Sequence, residues 1–555
     1  MKNSYTQSQF PTWPMIRHKG VVIAGSLLFI SSLFLNGCGP APSSMENRQA
    51  APAAESGASY DYGSDDAAAE EDAMGSAETS YSTGGTSTVN GAAYDMTFFD
   101  NYGVNPFIDT EDDQLSTFGM DVDTASYTVA RRYIRDGNLP DPDSVRTEEF
   151  LNYFKRDYTP PQEGAFAIHL EGAPSPFGDE RHHLLRVGLQ GKVINPDDRK
   201  DASLVFVIDA SGSMNREDRL TTVKRSLRML VDELRPADEV AIVVYNSNTR
   251  AVLQPTRADE KDTILRAIDN LRPEGSTNAE DGIIAGYRVA DQMLAQSNGD
   301  RIVRLILCSD GVANVGNTGP DTILAQVQRY VDQGVSLSTV GFGMGNYNDV
   351  LMERLANDGD GNYAYVDNLD QAHRFFVEDL TGTLQTIAKD AKVQVDFNPD
   401  VVSRYRLLGY ENRNVADDDF RDDSVDAGEV GAGHSVTALY EVKFHESTED
   451  ALLEKEIATV NIRYQDMDDN EVVEVNRALT RDHLNVDFTE ASTTFQHDAI
   501  IAEFAEVLRE SYWAQDSSLD AMTLLVDEVF TNMPQNEDIQ EFLELFNQAL
   551  DIERS

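Results

Sequence analysis

An aspartate and two serines on alternate residues, Asp209, Ser211 and Ser213, directly follow the apolar run from Leu204 to Ile208. All three side chains offer only oxygen, which suits a hard divalent cation such as Mg2+ and not zinc or copper. Neither serine has a neighbouring histidine or lysine in sequence to activate it as a nucleophile. The pattern therefore indicates half of a metal site, with a Ser/Gly turn after a strand as the alternative when the motif stands alone.

The element that must position these residues is a strand. A β-branched apolar run bounded by glycine and polar residues is typical of a strand buried on both faces, so Asp209 marks its carboxyl end. Strands and helices alternate from Asp201 to Gln385. This alternation predicts an α/β fold with a doubly wound, mostly parallel sheet. The predicted strands are 204–209, 239–246, 250–255, 302–308, 335–342 and 363–366, and the predicted helices are 219–235, 261–271, 279–296, 321–332, 349–357 and 371–385.

Two more oxygen-bearing residues follow other strands of this predicted sheet. Thr277 lies in the loop that opens the helix 279–296, and Asp310 follows the strand 302–308. In a doubly wound sheet, ligands bind outside the carboxyl ends of the strands. We therefore expect Thr277 and Asp310 to converge with Asp209, Ser211 and Ser213.

These five residues together resemble the von Willebrand factor type A (VWA) domain and its metal-ion-dependent adhesion site, in which D-x-S-x-S is completed by a distant Thr and a distant Asp. The resemblance implies that Ser211, Ser213 and Thr277 hold Mg2+ through hydroxyls, directly or through water, with Mn2+ or Ca2+ as alternatives. It also implies that Asp209 and Asp310 act largely through bound waters. The open position on the ion is then filled by a Glu or Asp of a partner protein.

The resemblance extends to the regions on both sides of the predicted VWA domain. They are similar to the flanks of a YfbK-like group of bacterial VWA lipoproteins. The residues that carry this similarity are Asn105-Pro-Phe107, 116–127, Gly409-Tyr-Glu-Asn-Arg413 and 426–434.

The composition limits the classes of partner. The chain has 555 residues, enough for two or three domains, and 96 acidic against 45 basic residues, for a net charge of −51. Such a surface repels phosphate backbones and anionic lipid head groups, so nucleic acid is not expected as a partner. Attachment to a membrane would need an anchor other than charge.

The amino-terminal residues 1–37 have the pattern of a lipoprotein signal peptide. Basic residues precede an apolar run at 21–35, and Leu35-Asn-Gly-Cys38 follows. This sequence resembles a bacterial lipobox, in which Cys38 becomes the acylated first residue of the mature chain. Gly39 is typical of outer-membrane lipoproteins. We expect a lipid-anchored protein of the cell envelope, held to the membrane through the lipid on Cys38.

The remainder divides by composition. Residues 38–100 are predicted to be a disordered acidic tether, because no Leu, Ile, Phe or Trp occurs between positions 41 and 95. An N-terminal flanking region of helices and strands is predicted at 101–200, the VWA domain at 201–385, and a β-rich then helical segment at 386–555. We hypothesise that the strands near 166–171 and 183–189 pair with the later sheet, which would make the VWA domain an insertion in a β-rich base.

The favoured function is binding, not catalysis. The sequence has no complete P-loop, no nucleophile with an obvious base, and no paired catalytic carboxylates outside the metal site. One alternative is an adaptor for a separate ATPase or envelope machine, against which the export signal argues. Another is an uncharacterised metal-dependent enzyme. Cys308 lies within an apolar run, which predicts a buried structural thiol.

Overall fold

The computed structural model describes residues 86–87, 99–178, 181–297, 301–311, 320–343, 348–445, 455–531, 533 and 536–555. The predicted signal peptide, Cys38 and most of the predicted tether lie outside these residues. Near the end of the tether, β1 (Thr86–Ser87) pairs with β2 (Asp100–Asn101) in antiparallel orientation. No helix of the described residues combines the length and the apolar character needed to cross a membrane.

A six-stranded sheet forms the centre of the VWA region. Its order is β12-β11-β10-β7-β8-β9. The strands are β7 (Asp201–Asp209), β8 (Glu239–Tyr245), β9 (Arg250–Arg257), β10 (Arg301–Ser309), β11 (Val335–Phe342) and β12 (Tyr363–Val366). All pairs are parallel except the pairing of β9 with β8 at one edge. The predicted mostly parallel sheet is therefore confirmed.

Alternate residues of β7 enter two separate cores, as expected for a strand covered on both faces. Val205 and Val207 face α5 (Ala279–Gln296), together with α6 (Pro320–Val331) and α7 (Asp349–Asn357). Leu204, Phe206 and Ile208 face α3 (Arg219–Glu233) and α4 (Lys261–Asp269). Helix α5 has the predicted bounds because the side chain of Asn278 caps its first turn.

The helix predicted at 371–385 is wrong as a single element. The structure has α8 (Leu369–His373), a π-helical turn (Arg374–Glu378) and α9 (Leu380–Leu384). The interruption coincides with Arg374, whose guanidinium lies 4.2 Å from the centre of the Tyr153 ring and 2.9 Å from Asp538 Oδ1. The widened turn thus coincides with contacts to distant parts of the chain. The helical periodicity of the sequence gives no information about such contacts.

The base of the molecule consists of two five-stranded sheets that share one apolar core. One has the order β3-β14-β16-β6-β5, and the other has β15-β13-β17-β18 with β4 paired to β13. The strands are β3 (Ile108–Asp109), β4 (Leu115–Gly119), β5 (Phe166–Pro174), β6 (His182–Gly191), β13 (Thr386–Phe397), β14 (Val402–Leu408), β15 (Gly428–Gly431), β16 (Ser435–Phe444), β17 (Ala458–Asp466) and β18 (Val472–Leu479).

The pairing of β6 with β16 confirms the hypothesis that early strands join the later sheet. The two run antiparallel from Ser435↔Gln190 to Lys443↔His182. Strand β4 likewise pairs with β13. The two predicted flanking regions thus build a common base, and the VWA sheet lies between them in sequence.

Helices pack on one face of this base, in a core that includes Ala173, Leu184, Leu408 and Leu439 of its strands. These helices are α1 (Ala125–Arg135), α2 (Thr147–Tyr153), α10 (Thr493–Leu508), α11 (Leu519–Thr531) and α12 (Glu537–Glu553). From sequence, three amphipathic helices are predicted to close the chain, at 497–510, 519–530 and 538–550, and the first of them corresponds to α10. Helix α10 begins at Thr493 because the Ser492 side chain accepts a hydrogen bond from Phe495 N, and it is buried on most of its surface. Helix α1 also packs on the VWA sheet, where Thr128 Oγ1 donates to Tyr365 O over 3.0 Å.

Candidate metal site

Asp209 is the last residue of β7 and has no exposed surface. Its carboxylate Oδ1 accepts a hydrogen bond from Ser211 N at 2.7 Å, and Oδ2 accepts one from the Ser309 hydroxyl at 3.4 Å. These donors fix the carboxylate at the carboxyl edge of the sheet, where α/β folds bind their ligands.

The two serines of the motif lie side by side. Ser211 Oγ and Ser213 Oγ are 2.8 Å apart, within hydrogen-bond distance. Ser211 is buried, whereas Ser213 is partly exposed in the short 3-10 turn Gly212–Asp218. Two hydroxyls with one hydrogen bond between them retain free lone pairs, which is what a hard cation requires.

The loop that carries Thr277 lies at this edge. Backbone hydrogen bonds join the loop to the motif, from Gly212 N to Gly275 O at 3.0 Å and from Glu274 N to Ala210 O at 2.8 Å. Gly275 has a φ of +79°, and a Cβ there would lie 2.4 Å from Ser247 Oγ, so glycine is required for this close approach. Thr277 is half-buried two residues further on.

Asp310 follows β10, the neighbour of β7, and is 8 % exposed. Arg219 Nη1, at the start of α3, donates to Asp310 Oδ2 over 2.6 Å. Arg219 is buried against Gly343, whose φ is +84° and where a Cβ would lie 2.3 Å from Arg219 Nε. Sequence reasoning missed Arg219, since one arginine at a helix start carries no distinctive signal.

Burial controls the electrostatics of this edge. Burial and the neighbouring Asp310 carboxylate raise the pKa of Asp209 to about 6, although its hydrogen bonds with Ser211 and Ser309 act in the opposite direction. Burial, followed by Asp209, also raises the pKa of the Tyr245 phenol. Two carboxylates in a buried setting favour a compensating cation.

The residues present fit a hard divalent ion. Asp209, Ser211, Ser213, Thr277 and Asp310, here called the strand-end site, all offer oxygen and belong to three segments joined at one edge of the sheet. Their assignment as ligands stays a prediction. Cys308, on the strand that leads to Asp310, is fully buried as expected, and burial raises the pKa of its thiol.

The comparisons with known proteins agree with this geometry. The family model described as the von Willebrand factor type A domain matches residues 203–389. The family model described as the C-terminal part of the uncharacterized protein YfbK matches 382–552, and one described as von Willebrand factor matches 93–186. The uncharacterized protein YfbK of Escherichia coli (strain K12) is 39% identical over 352 residues. Residues 203–389 thus form a VWA domain, and the chain as a whole is similar to YfbK.

The alignment with Escherichia coli YfbK covers 62% of this chain and 60% of that protein. The uncharacterized protein sll0103 of Synechocystis sp. is 28% identical over 35% of this YfbK-like chain and 44% of its own length. The human inter-alpha-trypsin inhibitor heavy chain H2 is 26% identical over 33% of this chain and 20% of its own length. The YfbK-like chain thus spans less than two thirds of each of these relatives.

Two further groups of carboxylates in the YfbK-like chain were not predicted from sequence. Asp121, Glu148 and Glu149 form a fully buried group, here called the junction triad, and Asp360, Asp426 and Glu429 form a more exposed one. In each group, one oxygen of every residue lies within 4.8 Å of the others. Asp121 is distant in sequence from Glu148 and Glu149, and Asp360 from Asp426 and Glu429, so only the fold reveals the groups.

Proposed function

We propose that this chain is a lipid-anchored envelope protein whose VWA domain binds an acidic side chain of a partner protein through Mg2+ at the strand-end site. The observation that carries this proposal is the meeting of three oxygen-bearing segments at the carboxyl edge of one sheet. The VWA family membership supports a role in protein–protein interaction.

The donor set explains how such binding would work. Neutral hydroxyls of Ser211, Ser213 and Thr277 add no negative charge, so a divalent ion held by them stays strongly electrophilic. Asp310 is already neutralised by Arg219 at 2.6 Å. An ion with so little protein charge around it attracts an external carboxylate, because Mg2+ completes its octahedral shell with oxygen ligands. We therefore propose binding and not catalysis, with the lipid on Cys38 as the anchor.

Affinity capture from envelope membranes tests this proposal. The purified full chain should retain a partner in MgCl2 and release it in EDTA, and Asp209→Ala should retain none. Asp259→Ala is the matched control, because Asp259 is an exposed aspartate that follows β9. It lies at the edge of the sheet opposite the strand-end site, since Arg257, the last residue of β9, is the β-sheet partner of Glu239 at the start of β8. A partner retained equally in EDTA would exclude the metal bridge.

A further inference from the structure

The junction triad lies where the base meets the VWA domain. Asp121 follows β4 of the base, and Glu148 and Glu149 belong to α2. The three residues are 3%, 1% and 0% exposed, respectively. One carboxylate oxygen of each lies within 4.8 Å of the other two. Three carboxylates this close in a buried place repel one another strongly unless a positive charge lies among them.

Glu148 has an oxygen with no hydrogen-bond donor. Its Oε2 accepts a hydrogen bond from Tyr410 N at 3.0 Å, whereas its Oε1 is buried and has no partner. A buried carboxylate oxygen without a partner is costly, since it has lost water and gained nothing. This unsatisfied oxygen is independent of the clustering and indicates a missing positive ligand.

The charges around the triad do not balance. Arg413 Nε donates to Asp121 at 2.9 Å, and Arg146 pairs with Glu149 and Asp349. Arg509 is already engaged by Glu411 at 3.2 Å and Glu506 at 3.4 Å. When all are ionised, six buried carboxylates around Arg146 and Arg413 carry four more negative charges than the two arginines compensate. The six are Asp121, Asp123, Glu148, Glu149, Asp349 and Glu353.

We propose that Asp121, Glu148 and Glu149 bind a Ca2+ ion. Carboxylates are the ligands that Ca2+ prefers, and Ca2+ lies about 2.3–2.6 Å from each oxygen, a distance that matches oxygens up to 4.8 Å apart. Mg2+ fits less well, because it keeps several waters and the triad is almost fully buried. A cavity of about 160 Å³ adjoins Asp121 and is also lined by Asp123 and Asn412.

The ion would fasten the VWA domain to its base. Arg413 joins Asp121 to Glu353, and Arg146 joins Glu149 to Asp349, so both arginines connect the triad to α7 of the VWA domain. A cation among the three carboxylates removes their repulsion and lets both arginines keep these bonds. This role is distinct from partner binding at the strand-end site and does not depend on it.

Calcium titration of the EDTA-treated full chain tests the proposal. The Asp209→Ala variant lacks a working strand-end site. Calorimetry should show that it still binds one Ca2+ per chain, and the bound Ca2+ should raise its Tm. Glu148→Gln in that background should lower the Ca2+ affinity at least about tenfold, because the site loses one charged ligand. Glu544→Gln, at an exposed position of α12, is the matched control and should leave the affinity unchanged.

Glu149→Gln provides a second variant if Glu148→Gln fails to fold. Absence of Ca2+ binding by Asp209→Ala would overturn the proposal and indicate that protons neutralise the triad. Binding that persists in both Glu148→Gln and Glu149→Gln would overturn it as well. Neither result bears on partner capture in MgCl2, so the two proposals fail separately.

Discussion

Arg219 Nη1 lies 2.6 Å from Asp310 Oδ2, so a buried guanidinium directly contacts one carboxylate of the strand-end site. A positive charge at this position opposes binding of a cation and favours binding of an external carboxylate. The metal affinity and the partner affinity of this site should therefore respond in opposite directions to changes at Arg219.

Arg219→Gln is expected to tighten Mg2+ binding and to weaken retention of the acidic partner. The reason is that the variant removes a charge that repels the ion and attracts the partner's carboxylate. Calorimetry with MgCl2 and capture from membranes measure the two effects. Arg225→Gln, at an exposed position of the same helix, should change neither. Weaker Mg2+ binding by Arg219→Gln would mean that the arginine chiefly orients Asp310.

The junction triad predicts a pH dependence of stability in EDTA. Burial, followed by the charge of Glu411, raises the pKa of Glu148 from 4.5 to about 8. Between these values the folded state holds a proton that the unfolded state has released, so the free energy of unfolding falls as the pH rises through this window. Thermal unfolding in EDTA at a series of pH values should show the fall, and Glu148→Gln should reduce it. A profile that Glu148→Gln leaves unchanged would contradict this account.

Glu506 should give the free energy of unfolding the opposite pH dependence, at low pH. It accepts hydrogen bonds from Arg406 at 2.9 Å and Ser511 at 2.7 Å, and its pKa is about 2. Burial alone would raise that pKa, but the charges of Arg406 and Arg509 outweigh it. The stability that ionised Glu506 contributes to the fold is present above the ordinary pKa of 4.5 and is lost as the pH falls towards about 2.

Glu506→Gln should therefore lower the free energy of unfolding by about 3 kcal/mol at neutral pH, because it leaves buried arginines undercompensated. Denaturant unfolding measures this loss. Glu544→Gln, an exposed residue of α12, is the control and should have little effect. Equal stability of the two variants would show that Glu441 and Glu411 suffice for the arginines.

The lipid anchor is tested in cells. Labelled fatty acid should be incorporated into the chain, and Cys38→Ser should abolish both the label and the membrane association. Cys308→Ser is the control, since Cys308 is buried inside the central sheet. A Cys38→Ser chain that is still labelled and membrane-bound would refute the lipobox.

Sequence reasoning succeeded where local signals agree with the fold. Helix α5 was predicted with its observed bounds, and β7 with its observed carboxyl end but three residues short at its start. The hypothesis that the strands near 166–171 and 183–189 join the later sheet named no partner strand, and the structure supplies it as β16, which pairs with β6. The interrupted helix after α8 and the buried α10 were missed, because contacts with distant elements determine them.

The strand-end site was more predictable than the junction triad for a related reason. Asp209, Ser211 and Ser213 are close in sequence, and the strand order brings Thr277 and Asp310 to them. The triad joins Asp121 to α2, and Arg413 reaches it from nearly three hundred residues further along the chain. These contacts between residues distant in sequence are evident only from the fold.

The two chain connections of the VWA domain leave it side by side. Lys200 N donates to the Gln385 side chain over 3.0 Å, just before β7 and just before β13. Both residues lie at the edge of the sheet where β7 begins, and Asp209 lies at the opposite edge, where β7 ends. A partner that pulls on the strand-end site would therefore load two covalent connections at once. Mechanical tension would be shared between two sheets of the base and would not be carried by a single linker.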